Sequence, residues 1–99
     1  MFIMTTATYP PEKSVAVAKK FTAASAKPLP AFIKRLHVLI TARGDLGMKA
    51  YGIYEVNDAK LKDAMIELTK YFVQFIDIEG FRYEIEPMLT AQEAIPLVL

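Results

Sequence analysis

Cysteine is absent from this chain of 99 residues, and histidine occurs once. The first absence excludes a disulfide framework, a thiolate nucleophile and thiolate metal sites. A lone histidine also puts the usual zinc constellations out of reach, so no metal is expected. No basic block or acidic tail is present either: 12 basic and 11 acidic side chains are spread along the sequence, for a net charge of +1. The long-range field that steers proteins to nucleic acid or anionic membranes is missing, and neither partner is expected. No apolar run approaches the roughly 18 residues of a membrane span. The apolar start Met1-Phe2-Ile3-Met4 has no basic flank and soon gives way to Thr5, Thr6 and Thr8, so it does not read as a secretory signal. In the absence of any address, a cytoplasmic location is the default expectation. Gly44-Asp45-Leu46-Gly47 lacks the Lys-Ser/Thr of a P-loop and the spacing of a dinucleotide fingerprint, and no Ser or Thr sits in a nucleophile elbow. No cofactor is therefore expected.

What the chain does hold is apolar side chain, at 54% of its residues. That exceeds the usual range of about 45–50%. Its length suits one domain over residues 1–99, since a second would have too little chain to bury a core. A small domain has a high surface-to-volume ratio and cannot hide so much apolar area internally, so some is expected against a partner.

Residues 2–9 are mostly β-branched and aromatic, stop at Pro10-Pro11, and read as a first strand. Pro11 and Glu12 suit a helix start, and Val17, Phe21 and Ala24 give an apolar face as far as about Ala26, before Pro28 and Pro30. Residues 35–43 alternate as a second strand, with Leu36, Val38, Ile40 and Ala42 on one face and Arg35, His37, Leu39, Thr41 and Arg43 on the other. Gly44–Gly47 is a hairpin connection compatible with at least two registers. Residues 48–56 return as the third strand. Asn57 or Asp58 then caps a helix whose Leu61, Ala64, Met65, Leu68, Phe72, Phe75 and Ile76 give the strongest periodicity in the chain. Gly80 stops that helix region, and residues 81–89 form a fourth strand. Thr90 and Glu93 have the form of a capping box for a short helix interrupted near Pro96. The apolar Ile95-Pro96-Leu97-Val98-Leu99 is expected to dock on its own domain or on a partner.

This order is an α+β, ferredoxin-like β-α-β-β-α-β arrangement: one four-stranded antiparallel sheet with both helices on one face. The helix-facing set is Leu36, Val38, Ile40, Met48, Tyr54, Val56, Phe81, Tyr83 and Ile85. The opposite face is mixed, carrying Leu39, Tyr51 and Ile53 beside His37, Thr41, Glu55, Arg82 and Glu84. Pairing two such faces in a homodimer buries the apolar groups and encloses the polar ones.

The closing segment Tyr83-Glu84-Ile85-Glu86-Pro87-Met88-Leu89-Thr90-Ala91-Gln92-Glu93-Ala94 resembles the ends of small stand-alone bacterial families of the dimeric α/β-barrel group, GYD-type domains among them. The resemblance implies a ferredoxin-like fold, face-to-face dimerisation and no metal. Antibiotic-monooxygenase-type relatives in that group do cofactor-free chemistry between the sheets, but none of their catalytic residues carries over to a position of this chain.

His37 is the one side chain that normally titrates near neutrality. With Glu55 opposite it in the hairpin and Tyr51 nearby, it can act as a general acid or base in a dimer cleft. Tyr9 and Tyr51 can offer phenols to a ligand there, and Arg82 can hold a carboxylate. Each also has a plainer reading, as an interface or solvated strand residue. Arg35 and Arg43 read as solvated strand ends. The leading functional expectation is a homodimer binding a small molecule between its paired sheets. A cofactor-free enzyme (monooxygenase- or isomerase-like) and a protein-interaction or regulatory module are the alternatives. An RNA-recognition role lacks the necessary aromatics and basic surround.

Overall fold

The computed structural model describes residues 1–99. Strand β1 (Phe2–Tyr9) leads through a 3-10 turn at Pro11–Lys13 into helix α1 (Ser14–Ala24). Strands β2 (Ile33–Ala42) and β3 (Met48–Val56) form the central hairpin, followed by helix α2 (Leu61–Val73), strand β4 (Arg82–Met88) and helix α3 (Ala91–Val98). The sheet is antiparallel in the order β2-β3-β1-β4, the ferredoxin-like arrangement with a short helix added at the end. No helix is long and apolar enough to cross a membrane.

Local chemistry accounts for most boundaries. Asn57 accepts a bond from the Ala59 N–H at 3.0 Å, capping the turn that opens into α2. The Thr90 box is complete: the Glu93 N–H donates to Thr90 Oγ1 at 3.2 Å, and the Thr90 N–H donates to Glu93 Oε1 at 3.0 Å. Two boundaries differ from expectation. Helix α2 stops at Val73, and residues 74–81 descend in short turns, with bonds from Ile78 N–H to Phe75 C=O and from Phe81 N–H to Ile78 C=O. These turns bury Phe75 and Ile78. Helix α3 runs through Pro96 instead of breaking there, although proline forfeits one internal hydrogen bond. Its apolar end does not dock on its own domain: Leu97, Val98 and Leu99 are 73%, 83% and 95% exposed.

The core falls into two groups with a gap between them. One joins Ile3, Ile33, Tyr54 and Val56 of the sheet to Ala64 and Leu68 of α2. The other joins Tyr9 and Val17 to Phe75 and Ile78. Helix α1 buries Val17 alone and is anchored at that end, where Lys20 pairs with Asp77 at 2.7 Å and donates to the Gln74 carbonyl. It does not close over β2, so Val38 and Ile40 remain exposed on the helix-bearing side of the sheet. The radius of gyration, 14.8 Å, exceeds the roughly 12.6 Å of a compact chain of this length.

Candidate functional site

The register of the hairpin is interrupted once. Arg35 pairs with Tyr54 and His37 with Ile53, which leaves Leu36 as an extra, unpaired residue. A bulge of this kind reverses the inward and outward alternation of its strand. Ile33 and Arg35 therefore share the helix-bearing face with Tyr54 and Val56, and His37 lies on the opposite face. This corrects the expectation that Arg35 and His37 share a face; Arg35 is exposed, as expected, but on the helix-bearing side. Leu36 loses its expected place in the inward set for the same reason.

Arg35 is turned toward the gap between the two core groups, a cleft of ≈ 450 Å³ bounded by α1, α2 and the sheet. Small side chains make its floor. Thr5 lies directly across from Gly52, and Ala7 from Ala50. A Cβ on Gly52 would come within 2.5 Å of Thr5 Oγ1 and 2.7 Å of Tyr54 Cε2, so the bare backbone is what lets the Tyr54 ring lie across the floor. Phe72, Phe75 and Phe81 form one wall, with Phe75 and Phe81 stacked at 4.9 Å between ring centres. Ala18, Phe21 and Thr22 of α1 overhang the opening.

Arg35 is the one charged side chain lining this cleft. Its guanidinium carbon lies 5.6, 5.7 and 5.8 Å from the ring centres of Tyr54, Tyr71 and Phe21, within cation–π range. It has no ion-pair partner. Burial works against its charge, but the Tyr54 and Tyr71 phenols outweigh that effect and raise its pKa. Burial likewise pushes the Tyr71 phenol above its ordinary value, with Arg35 pulling the other way, and burial alone raises Tyr9. A smaller hollow of ≈ 260 Å³ lies beyond Arg35 and Tyr71, which line both cavities. Its only other charged lining residue is Lys27.

The residues expected to act together are spread over four rows of the helix-free face. Across the sheet, Lys34, Glu55, Phe2 and Met88 share one row, and His37, Ile53, Met4 and Glu86 the next. Leu39, Tyr51, Thr6 and Glu84 form the third, and Thr41, Lys49, Thr8 and Arg82 the fourth. His37 thus faces Ile53 rather than Glu55, because the bulge shifts the register; Glu55 and Tyr51 are its diagonal neighbours. The His37 side chain makes no hydrogen bond or ion pair. Arg82 and His37 stand on opposite edges of the sheet and two rows apart, roughly 20 Å from one another by strand spacing and rise. Tyr51 takes Lys49 over its ring at 5.2 Å. The Tyr9 side chain is on the other face: it pairs with Met48, is 7% exposed, and lines the cleft under α1, to which Tyr51 also contributes.

Chemically, the cleft offers phenols, a guanidinium and an aromatic lining. No imidazole, carboxylate or amine side chain lines it. It is equipped to hold a molecule more clearly than to move a proton. Comparison of the chain with models of known protein families finds no match, and comparison with the curated proteins finds none.

Proposed function

We propose that this protein binds a small molecule in the cleft beneath α1 and works as a homodimer joined through its helix-free sheet face. The observation that carries the first half is the cleft itself. Its volume lies within the roughly 300–1,000 Å³ typical of ligand pockets, and its lining is apolar with a few convergent polar groups. An ordinary ferredoxin-like core would fill this space, yet the sheet residues beneath it are the small Thr5, Ala7, Ala50 and Gly52. The ligand site thus lies under the helices of each protomer, rather than between sheets as expected from sequence.

Apolar groups on the outer face support the second half. Leu39 is 55% exposed, and Met4, Tyr51 and Ile53 are only half-buried. The edges of that face carry Lys34 and His37 on β2 and Glu84, Glu86 and Arg82 on β4, with Glu55 and Lys49 on β3 between them. A two-fold axis running along the strands lays β2 over the partner's β4, which brings Lys34 within one row of Glu86 and sets Arg82 against the neutral Thr41. This reading places the chain in the dimeric α/β-barrel group.

Both halves have direct tests. Ligand-dependent melting shifts across a panel of small metabolites are expected for the native protein and are expected to vanish in Ala18→Trp, whose indole fills the mouth of the cleft from an exposed helix position. Shifts that persist undiminished in Ala18→Trp would contradict the cleft. Sedimentation equilibrium at micromolar concentration is expected to give a dimer, and a monomer would contradict the paired sheets.

A further inference from the structure

We infer that the cleft takes a flat aromatic monocarboxylic acid, with its carboxylate on Arg35 and its rings over the sheet floor. This rests on the reading of the cleft as a ligand site and names the chemical class of its occupant.

The charge follows from what Arg35 lacks. Its guanidinium presents five N–H donors in a planar fork. The three rings around it offer faces and two phenol oxygens, and no carboxylate lines the cleft. Donors therefore remain for a bidentate anion, for which the fork is geometrically matched. The adjoining hollow strengthens the assignment: its one other charged lining group, Lys27, is also basic, so this end of the cleft has positive charge only. A single negative charge fits best. A dianion would bring a second charge against a lining of which 14 of 18 residues are hydrophobic, where an unpaired charge is costly.

The flat body follows from the walls. Small residues make a shallow floor, Phe21 overhangs it, and Phe72, Phe75 and Phe81 close one side. Such a slot favours offset stacking and edge-to-face contacts with a ring system, which an alkyl chain cannot make. The Leu36 bulge joins these two features, because it turns Arg35 to the face that carries the slot.

Isothermal titration with 2-naphthoate, 2-naphthamide and decanoate tests the assignment on the native chain, Arg35→Gln and Ala18→Trp. The native protein is expected to bind 2-naphthoate roughly tenfold or more tighter than the neutral amide, and tighter than decanoate. Arg35→Gln is expected to erase the preference for acid over amide while leaving amide binding within about twofold, since only the charge-assisted bonds are lost. If Arg35→Gln does not fold, Arg35→Lys serves: it keeps the charge, loses the fork, and is expected to bind 2-naphthoate with intermediate affinity. Equal affinity for acid and amide, decanoate binding at least as tightly as 2-naphthoate, or no binding by any of the three overturns the inference. Binding that is unchanged in Ala18→Trp overturns the cleft reading beneath it instead.

Discussion

Replacing Gly52 by alanine puts a methyl group where the floor of the cleft has no room. Its Cβ would stand 2.5 Å from Thr5 Oγ1, and 2.7 and 2.9 Å from Cε2 and the hydroxyl of Tyr54. Neither neighbour gives way easily, because Thr5 and Tyr54 are each 2% exposed. Overpacking of this kind costs about 1–3 kcal/mol. Glycine-to-alanine replacement recovers roughly 0.4–1 kcal/mol through the unfolded chain, so a net loss of about 1–2 kcal/mol is expected. For a domain of this size that lowers the midpoint of thermal unfolding by roughly 4–16 °C. Urea denaturation followed by circular dichroism measures the loss. Repeating the substitution in a Thr5→Ala, Tyr54→Leu background isolates its cause, since most of the penalty should disappear once the two neighbours are trimmed. A Gly52→Ala protein as stable as the parent, or a penalty of the same size in the trimmed background, would refute the close packing of ring on bare backbone.

The pH behaviour of the cleft is also fixed in sign. Tyr9 and Tyr71 both titrate above the ordinary 10.0; their neutral forms favour folding, so their contribution is full below about pH 10 and is lost as pH rises through the folded values. Arg35→Gln removes the one influence lowering Tyr71 and is expected to push that phenol higher still, which an absorbance titration of the phenolate reads. At the anchored end of α1, Asp77 is held below its ordinary range by its hydrogen bond with Lys20. Its contribution is present above the unfolded value and lost as pH falls through the folded one, and carboxyl NMR of Lys20→Met is expected to show Asp77 moving back up. On the other face, Leu39→Glu together with Ile53→Lys is expected to split the proposed dimer without lowering cleft affinity, as sedimentation and titration on one sample would show. Loss of ligand binding along with dimerisation would mean that the two faces are not independent.

The element order was legible because each element carries its own local chemistry. Proline pairs bound β1 and α1, Leu61 to Phe72 keep a helical stripe, and Thr90 and Glu93 form a reciprocal cap. The site was not legible, because it depends on one extra residue in β2. Strict alternation from Arg35 to Arg43 sends Arg35 outward, and only the bulge at Leu36 returns it. A trace of this was present in the sequence: Ile33 and the pair Val38 and Ile40 have opposite parity, so one face can hold all three only if the strand slips by one residue. The hollow left a second trace. Thr5, Ala7, Ala50 and Gly52 are small at alternate positions of two neighbouring strands, a pattern that becomes meaningful only once the β1–β3 register aligns them. His37, Glu55, Tyr51 and Arg82 drew attention as polar residues among apolar ones, but cross-strand pairing decides which of them meet, and that pairing depends on the same bulge.

Methyl NMR on the protein titrated with 2-naphthoate separates the two faces of the sheet in one experiment. Val17, Ala18, Val38, Ile40 and Ala50 report on the cleft under α1, while Met4, Leu39 and Ile53 report on the opposite face. A ligand seated beside Arg35 is expected to give intermolecular Overhauser effects from its ring protons to the first group and none to the second. Contacts confined to Met4, Leu39 and Ile53 would contradict the cleft and return the binding site to the face that carries His37.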